Sequence, residues 1–195
     1  MAKTVAFLYG ALEGPAHSKR FQRALEQMGY TTISNAFAAD VVIAHSGGCM
    51  LVPLDKSEQT TLFINPTYWP GNMPRRQAAR KIGRDCQQYL TRNAFQQLRH
   101  HLWSGWYFLT GWRHSRRLFK AAKQFNLPNK IAIPDGRVII ARNKHDPWFT
   151  DDLGALQQKH KNIRLVHLPG EHDDCWFNPE PYINLLQSER NEHHA

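Results

Sequence analysis

The sequence predicts an α/β fold, in which an open, mostly parallel sheet of about six strands lies between layers of helices. Short apolar runs rich in β-branched residues alternate with segments of helical periodicity, and this alternation is typical of parallel sheets. The chain has 195 residues, 42% of them hydrophobic, which is enough for one domain with a sizeable core. We therefore expect a single domain over residues 1–195.

Six segments are expected to form strands, and they are residues 4–10, 31–34, 41–45, 60–65, 137–142 and 162–168. Helices are expected at residues 15–30, 151–160 and 179–189, and a short one shortened by Pro53 follows the third strand. Only about six residues separate the second strand from the third, whereas a parallel crossover normally needs about a dozen. We expect the third strand to be central, between the first and the fourth.

Residues 72–130 interrupt this alternation and predict a helical insertion between the fourth and fifth strands. The segment is long and rich in helix formers, and a structureless loop of that length would be unusual. From Thr60 to Pro134 the chain has thirteen Lys or Arg and one acid, Asp85, which gives this stretch a formal charge of +12. The whole chain carries +9, so the remainder is slightly acidic.

The stretch VVIAHSGG, beginning at Val41, reads as a buried strand that runs directly into a tight turn. Gly47 and Gly48 let the chain fold back sharply, and Ala44 is also small. A serine between small residues at such a corner is held out at the top of the sheet. An ordinary glycine-rich loop would have the same residues, so the interpretation of Ser46 depends on an acid and a histidine at other strand ends.

Both partners are present in the expected order. Asp146 follows the strand at 137–142, and His172 follows the strand at 162–168. Asp151 and Asp152 also follow the fifth strand, but Asp151 opens a helical run and suits a helix cap. His167 competes with His172 as the base, but it lies inside a strand, where one sheet face fixes its side chain. The order serine, acid, histidine is that of one class of hydrolytic triad.

On the motifs AHSGG, NKHDPW and PGEHDDCW, the sequence resembles the α/β-hydrolase superfamily in a small version. The resemblance covers most of the chain outside residues 72–130. It implies a three-layer sandwich with a helical cap, a triad of Ser46, Asp146 and His172, and an oxyanion hole formed by the N–H groups of Ala11 and Gly47. Ala44 replaces the first glycine of the usual motif. A helix near residues 35–40 and two leading strands are missing.

The function that we expect is a serine hydrolase, which cleaves a small-molecule carboxylic ester or thioester through an acyl-enzyme intermediate. No metal and no organic cofactor are implied. The alternative is a non-catalytic binding protein that docks to an anionic membrane or acidic partner through the basic segment 72–130. A reaction with a serine-directed probe would separate an enzyme from a binding protein.

The insertion contains five closely spaced aromatic residues, Trp103, Trp106, Tyr107, Phe108 and Trp112. We expect them to bind substrate as the walls of an acyl pocket. The basic residues around them fit a solvated helix face or contact with an anionic lipid surface. Nucleic acid ranks last as a partner, because no nucleic-acid-binding motif is present.

The three cysteines are odd in number, far apart and outside any CxxC pattern. They favour a reducing compartment over a disulfide framework and argue against a structural zinc site. The first ten residues read better as a strand than as a signal peptide. We therefore expect a cytoplasmic protein.

Overall fold

The computed structural model describes residues 3–10, 13–53, 57–66, 94–124, 136–146, 157–158 and 160–191. Its six strands are β1 (Lys3–Leu8), β2 (Tyr30–Thr32), β3 (Val41–His45), β4 (Thr60–Ile64), β5 (Arg137–Asn143) and β6 (Ile163–Leu168). They form one sheet in the order β2-β1-β3-β4-β5-β6, and every neighbouring pair is parallel. The predicted fold class is confirmed, and β3 is central between β1 and β4.

The described helices are α1 (Lys19–Gln27), α2 (Ala94–Thr110), α3 (Trp112–Gln124), α4 (Asp174–Phe177) and α5 (Glu180–Asn191), and a 3₁₀ helix spans Ser46–Leu51. The helix expected at 15–30 begins only at Lys19, because the residues after Pro15 form a turn instead. It ends before Gly29, whose φ of +83° is a conformation that glycine adopts without strain. The helix expected at 151–160 lies mostly outside the described residues.

Helices α2 and α3 both lie within the predicted insertion. Residues 67–93 and 125–135 are outside the described residues, so the bounds of the insertion stay a prediction. No helix in the described part of the chain is both long and apolar enough to cross a membrane.

Two apolar cores, one on each face of the sheet, make the three layers. On one face, β-strand residues pack against α1, α4 and α5, with Phe21, Trp176 and Tyr182 among the buried side chains. On the other face, the core includes Ala36 and Ala39 from the segment between β2 and β3.

The short link from β2 to β3 crosses the sheet without a helix. Ala36 and Ala39 are buried in it, and the side-chain amide of Gln59 donates to both of their carbonyl oxygens, at 2.9 and 2.8 Å. One glutamine therefore satisfies two buried carbonyl groups that a helix would otherwise pair internally.

Candidate active site

The residue after β3 has a backbone conformation that is rare for a side chain with a Cβ. All five residues of β3 are buried, and Ser46, the next residue, has a φ of +52° before it opens the 3₁₀ helix. A left-handed non-glycine residue costs on the order of 1–3 kcal/mol and persists only where its surroundings hold it. Ser46 therefore lies on a strained strand-to-helix corner, as the sequence motif predicts.

Two glycines allow the chain to approach this corner closely. A Cβ on Gly48 would lie 2.3 Å from the carbonyl oxygen of Leu8, so the end of β1 passes directly against the turn. A Cβ on Gly10 would lie 2.9 Å from Ser46 Cβ and 3.2 Å from Ser46 Oγ. The loop after β1 thus lies against the serine, where the sequence predicts an oxyanion hole. Gly47 is buried beside it, and Ala11 lies outside the described residues.

Asp146 and His172 meet at the carboxyl ends of β5 and β6. His172 Nδ1 lies 3.0 Å from Asp146 Oδ1, and both residues are buried. Backbone hydrogen bonds join their two loops, because Lys144 N donates to Leu168 O and His145 N donates to Gly170 O. Burial by itself lowers the pKa of His172, but the charge and hydrogen bond of Asp146 together with the charge of Asp173 outweigh burial, and the pKa of His172 is raised.

The main-chain carbonyl of His172 is held from two sides. Asn65 Nδ2 donates to it at 2.6 Å, and His45 Nε2 donates to it at 2.8 Å. Asn65 Oδ1 in turn accepts from Asn143 N at 2.8 Å, and Tyr182 donates to Asn143 Oδ1 at 2.8 Å. The side chains of Asn65 and His45 therefore hold the backbone of the histidine loop directly, and Asn65 and Tyr182 both hold Asn143.

Glu13 and His45 form a buried ion pair next to these hydrogen bonds. Glu13 Oε1 lies 2.8 Å from His45 Nδ1 and accepts from Trp176 Nε1 at 2.9 Å, while Glu13 Oε2 accepts from Gly10 N at 2.6 Å. Both ring nitrogens of His45 thus face oxygen atoms, one of a carboxylate and one of a carbonyl. An imidazolium beside a carboxylate is the charge state that suits both contacts.

The directions of the pKa shifts of Glu13 and His45 agree with a charged pair. Burial alone lowers the pKa of His45, but its interactions with Glu13 and Cys175 together outweigh burial, and the pKa of His45 is raised well above its ordinary value. For Glu13, burial raises the pKa, but the charge and hydrogen bond of His45 together with the hydrogen bond from Trp176 outweigh that effect, and the pKa of Glu13 is lowered. The pair is therefore charged at neutral pH.

Sequence reasoning did not single out Glu13 or His45. The only signals were an acid three residues after Gly10 and a histidine at the end of an otherwise apolar strand. Neither residue belongs to the predicted triad, and their contact depends on how the loop after β1 meets the end of β3.

Among the described residues, His45, His172 and Asp173 have side-chain donor atoms within 4.8 Å of one another, which is a spacing that a metal could use. His45 Nε2 is already hydrogen-bonded to the carbonyl oxygen of His172, however. A nitrogen that donates a hydrogen bond has no lone pair for a metal. We therefore assign His45, His172 and Asp173 to the hydrogen-bond network of the site and not to a metal site.

The alternative base, His167, is exposed on β6 rather than paired with Asp146. The alternative acids, Asp151 and Asp152, lie outside the described residues.

The five predicted substrate-binding aromatics do not share one environment. Tyr107 packs over Gly14, and its hydroxyl accepts from Ala16 N at 3.3 Å. Trp103 is half-buried and lines a cavity of about 500 Å³ with Trp176 and Phe177, among others, but the described lining contains no residue of the predicted triad. The side chain of Phe108 is outside the described residues.

Trp106 and Trp112 are 56% and 62% exposed. Their role as walls of an acyl pocket stays a prediction. The helical spacing of the aromatics spreads them around α2, and the sequence alone did not show which face would pack.

Comparison with models of known families and with curated proteins finds no match. Solved structures do resemble the chain. The epoxide hydrolase VrEH1 from Vigna radiata has a TM-score of 0.61 at 13% identity, over 98% of this chain and 92% of that chain. A thioesterase domain from the curacin biosynthetic pathway has a TM-score of 0.54 at 13% identity, over 95% and 90%.

A third neighbour, MGS-MChE2, is an α/β-hydrolase enzyme from a sediment metagenome of the Mar Chica lagoon in Morocco. It has a TM-score of 0.51 at 12% identity, over 100% of this chain and 93% of that chain. Identities this low establish the fold and not the reaction. The chain has the α/β-hydrolase fold, as the sequence motifs predict.

Proposed function

We propose that this protein is a serine hydrolase that cleaves a carboxylic ester or thioester. The observation that carries the proposal is the combination of a strained Ser46 after the central strand with a buried pair of His172 and Asp146. Strand ends at one edge of a parallel sheet bring such groups together. The fold of a thioesterase domain is compatible with the same chemistry.

The contact between Asp146 and His172 fixes the tautomer of the base. Since His172 Nδ1 faces a carboxylate oxygen, Nδ1 carries the hydrogen in the neutral ring, and Nε2 keeps its lone pair. In the proposed reaction, His172 Nε2 takes the hydroxyl proton as Ser46 Oγ attacks the carbonyl carbon. The carboxylate of Asp146 then stabilises the imidazolium that forms.

The negative charge that develops on the substrate oxygen needs hydrogen-bond donors. The N–H groups of Ala11 and Gly47 are the proposed donors, and such a donor is commonly worth about 3 kcal/mol in the transition state. His172 would return the proton to the departing alcohol or thiol. A water molecule, activated by the same histidine, would then release the acyl group from Ser46 and regenerate the free hydroxyl.

The test is covalent labelling with a fluorophosphonate, which reacts with an activated serine. We expect wild-type protein to be labelled at Ser46 and to hydrolyse members of a panel of p-nitrophenyl esters and acyl-CoA thioesters of rising chain length. Ser46→Ala should lose both properties and keep its melting temperature, whereas Ser57→Ala, on an exposed turn, should keep both.

Labelling that persists in Ser46→Ala would assign the nucleophile elsewhere. A wild-type protein that neither labels nor hydrolyses any member of the panel would instead favour a non-catalytic binding protein on this fold.

A further inference from the structure

Helix α2 is apolar on two opposite faces, and only one of them is packed. At 3.6 residues per turn, Trp103 and Tyr107 lie on one side of the helix, where Tyr107 contacts the loop at Gly14. Ser104 on that side lies 3.4 Å from His17 Nε2 through its hydroxyl. This face holds α2 against the body of the protein.

The other face of α2 is a stripe of large apolar side chains. Its members follow one another at intervals of four, four and three residues, and they are Leu98, Leu102, Trp106 and Leu109. They fall within an arc of about 80°, roughly 150° around the helix from the packed face. Their exposed fractions range from 55% for Leu98 to 77% for Leu109. A soluble surface seldom carries so many exposed apolar groups in one line unless the line is an interaction site.

Helix α3, which follows α2 in the chain, carries exposed positive charge. It follows α2 after a single residue, Gly111, and packs inward through the buried Leu118 and through His114, which donates to the carbonyl oxygens of Tyr9 and Gly10. The outward side of α3 carries four exposed cations, which are Arg113, Arg116, Arg117 and Lys120. Residues 94–124 contain six Lys or Arg and no Asp or Glu.

The exposed Trp112 is the first residue of α3 and follows the end of α2 after Gly111. Tryptophan is favoured at the boundary between headgroups and hydrocarbon, because its ring is apolar and its N–H is polar. Cations beside exposed leucines and tryptophans would repel one another unless a partner supplied negative charge. An anionic lipid surface supplies both the charge and the apolar phase.

We propose that the outward faces of α2 and α3 form a docking surface for an anionic lipid membrane. Leu98, Leu102, Trp106 and Leu109 enter the headgroup boundary, and the arginines and lysine of α3 contact the lipid phosphates. In this proposal the two helices lie on the membrane surface. This proposal concerns the outward faces of α2 and α3 and does not depend on the proposed hydrolase activity.

The experiment is co-sedimentation of the full chain with vesicles of phosphatidylcholine mixed with an equal part of phosphatidylglycerol, and with vesicles of phosphatidylcholine alone. We expect binding to the anionic vesicles, weaker binding as salt rises, and little binding to the neutral vesicles. Leu102→Ser with Leu109→Ser should weaken the partition constant by about tenfold or more, because the buried apolar area is lost.

Arg116→Gln with Arg117→Gln should weaken binding by roughly fivefold for each charge removed. Two variants serve as controls. Phe37→Ser changes an apolar residue outside α2 and α3 that is 60% exposed. Arg137→Gln with Lys161→Gln changes two exposed cations outside the docking surface. Both controls should bind like wild type. Near-ultraviolet circular dichroism should show that every variant is folded.

Three results would overturn the proposal. They are equal binding to neutral and anionic vesicles, variants of α2 and α3 that bind like the controls, and a wild-type dimer that Leu102→Ser with Leu109→Ser converts to a monomer without any vesicle binding. The last result would make the stripe an interface between two copies of the chain. Ser46→Ala should bind vesicles like wild type. The vesicle experiment can therefore be interpreted even if the hydrolase proposal fails.

Discussion

At the scale of single residues, Glu13 connects the loop after β1 with strand β3 and helix α4. Its carboxylate contacts Gly10 N in the loop after β1, His45 at the end of β3, and Trp176 beyond the histidine loop. His45 in turn donates a hydrogen bond to the main-chain carbonyl of His172. Glu13 and His45 are positioning residues by this geometry, because they hold the backbone that carries Ser46 and His172.

Replacing Glu13 by Gln keeps the size of the side chain and removes its charge. His45 then loses its counter-charge inside a buried site, and a neutral ring keeps only one of its two N–H donors. We expect the free energy of unfolding to fall by about 3 kcal/mol, as for other buried ion pairs that lose one partner. Urea unfolding near pH 6 measures the change.

The matched control is Glu58→Gln on an exposed turn, which should change the free energy of unfolding by less than about 0.5 kcal/mol.

The contribution of the ion pair to stability depends on pH. Because the pKa of Glu13 is lowered on folding, the stability that Glu13 contributes is lost as pH falls below about 4.3. Because the pKa of His45 is raised on folding, the stability that His45 contributes is lost as pH rises above about 6.5. The gap between wild type and Glu13→Gln should therefore be widest between these values. A gap no larger than that of the control would show that the pair adds no stability.

The raised pKa of His172 predicts the pH dependence of the proposed reaction. The base must be neutral, so kcat/KM should rise with pH, with a midpoint above the ordinary histidine value of about 6.5. Asp146→Asn removes the carboxylate that raises this pKa, and burial then lowers it. We expect a lower midpoint and a loss of kcat of about a thousandfold or more.

The measurements are pH–rate profiles together with an NMR titration of the His172 ring, and Glu58→Gln should leave both unchanged. A midpoint that does not move in Asp146→Asn would mean that another acid orients His172.

The sequence predicted Ser46, Asp146 and His172 because each follows a strand, and the ends of parallel strands converge. The structure brings Asp146 and His172 into contact and puts Ser46 on the expected corner. The ion pair of Glu13 and His45 could not be predicted in the same way, since it depends on the path of a loop that has no periodicity. An acid and a histidine far apart in sequence carry no signal of a buried contact between them.

At the scale of elements, the 3₁₀ helix after Ser46 is the tightest junction in the described site. It contacts β1, β3, β4 and α3, and the carbonyl of Leu8 leaves no space for a side chain at Gly48. The sequence predicted a tight turn at the two glycines and, after it, a short helix shortened by Pro53. It could not predict the 3₁₀ form, which follows from the close approach of β1 rather than from local propensity.

Gly48→Ala should therefore be destabilising, because its Cβ would lie 2.3 Å from the backbone oxygen of Leu8, and backbone cannot move aside easily. We expect a loss of about 2 kcal/mol or more in the free energy of unfolding. Gly105→Ala is the control, since a Cβ there meets nothing within 4 Å inside helix α2. That variant should gain up to about 1 kcal/mol from helix propensity.

Urea unfolding of both variants provides the comparison. Two variants of equal stability would mean that the turn after β3 can shift away from β1 without a measurable penalty.

At the scale of the whole molecule, the order of the strands was predictable and the path between two of them was not. We expected β3 between β1 and β4 although the segment after β2 is short for a parallel crossover, and the observed order agrees. The means of crossing depends on Gln59, which lies just before β4 and pairs with carbonyls of Ala36 and Ala39. Such a long-range side-chain contact has no local pattern. The outward positions of Trp106 and Trp112 were unpredictable for the same reason.

The core beneath α1 also determines when, during translation, the protein can fold. Phe21 packs against Trp176 and Tyr182, with ring centroids 6.4 Å away in each case, and Ile183 and Leu186 close the same cluster. A ribosome adds about 5–20 residues each second, so α1 waits on the order of ten seconds for these partners. Until then its apolar face stays open while the basic insertion is being made. The nascent chain therefore exposes the apolar residues of an incomplete layer, and chaperones bind exposed apolar surface of this kind.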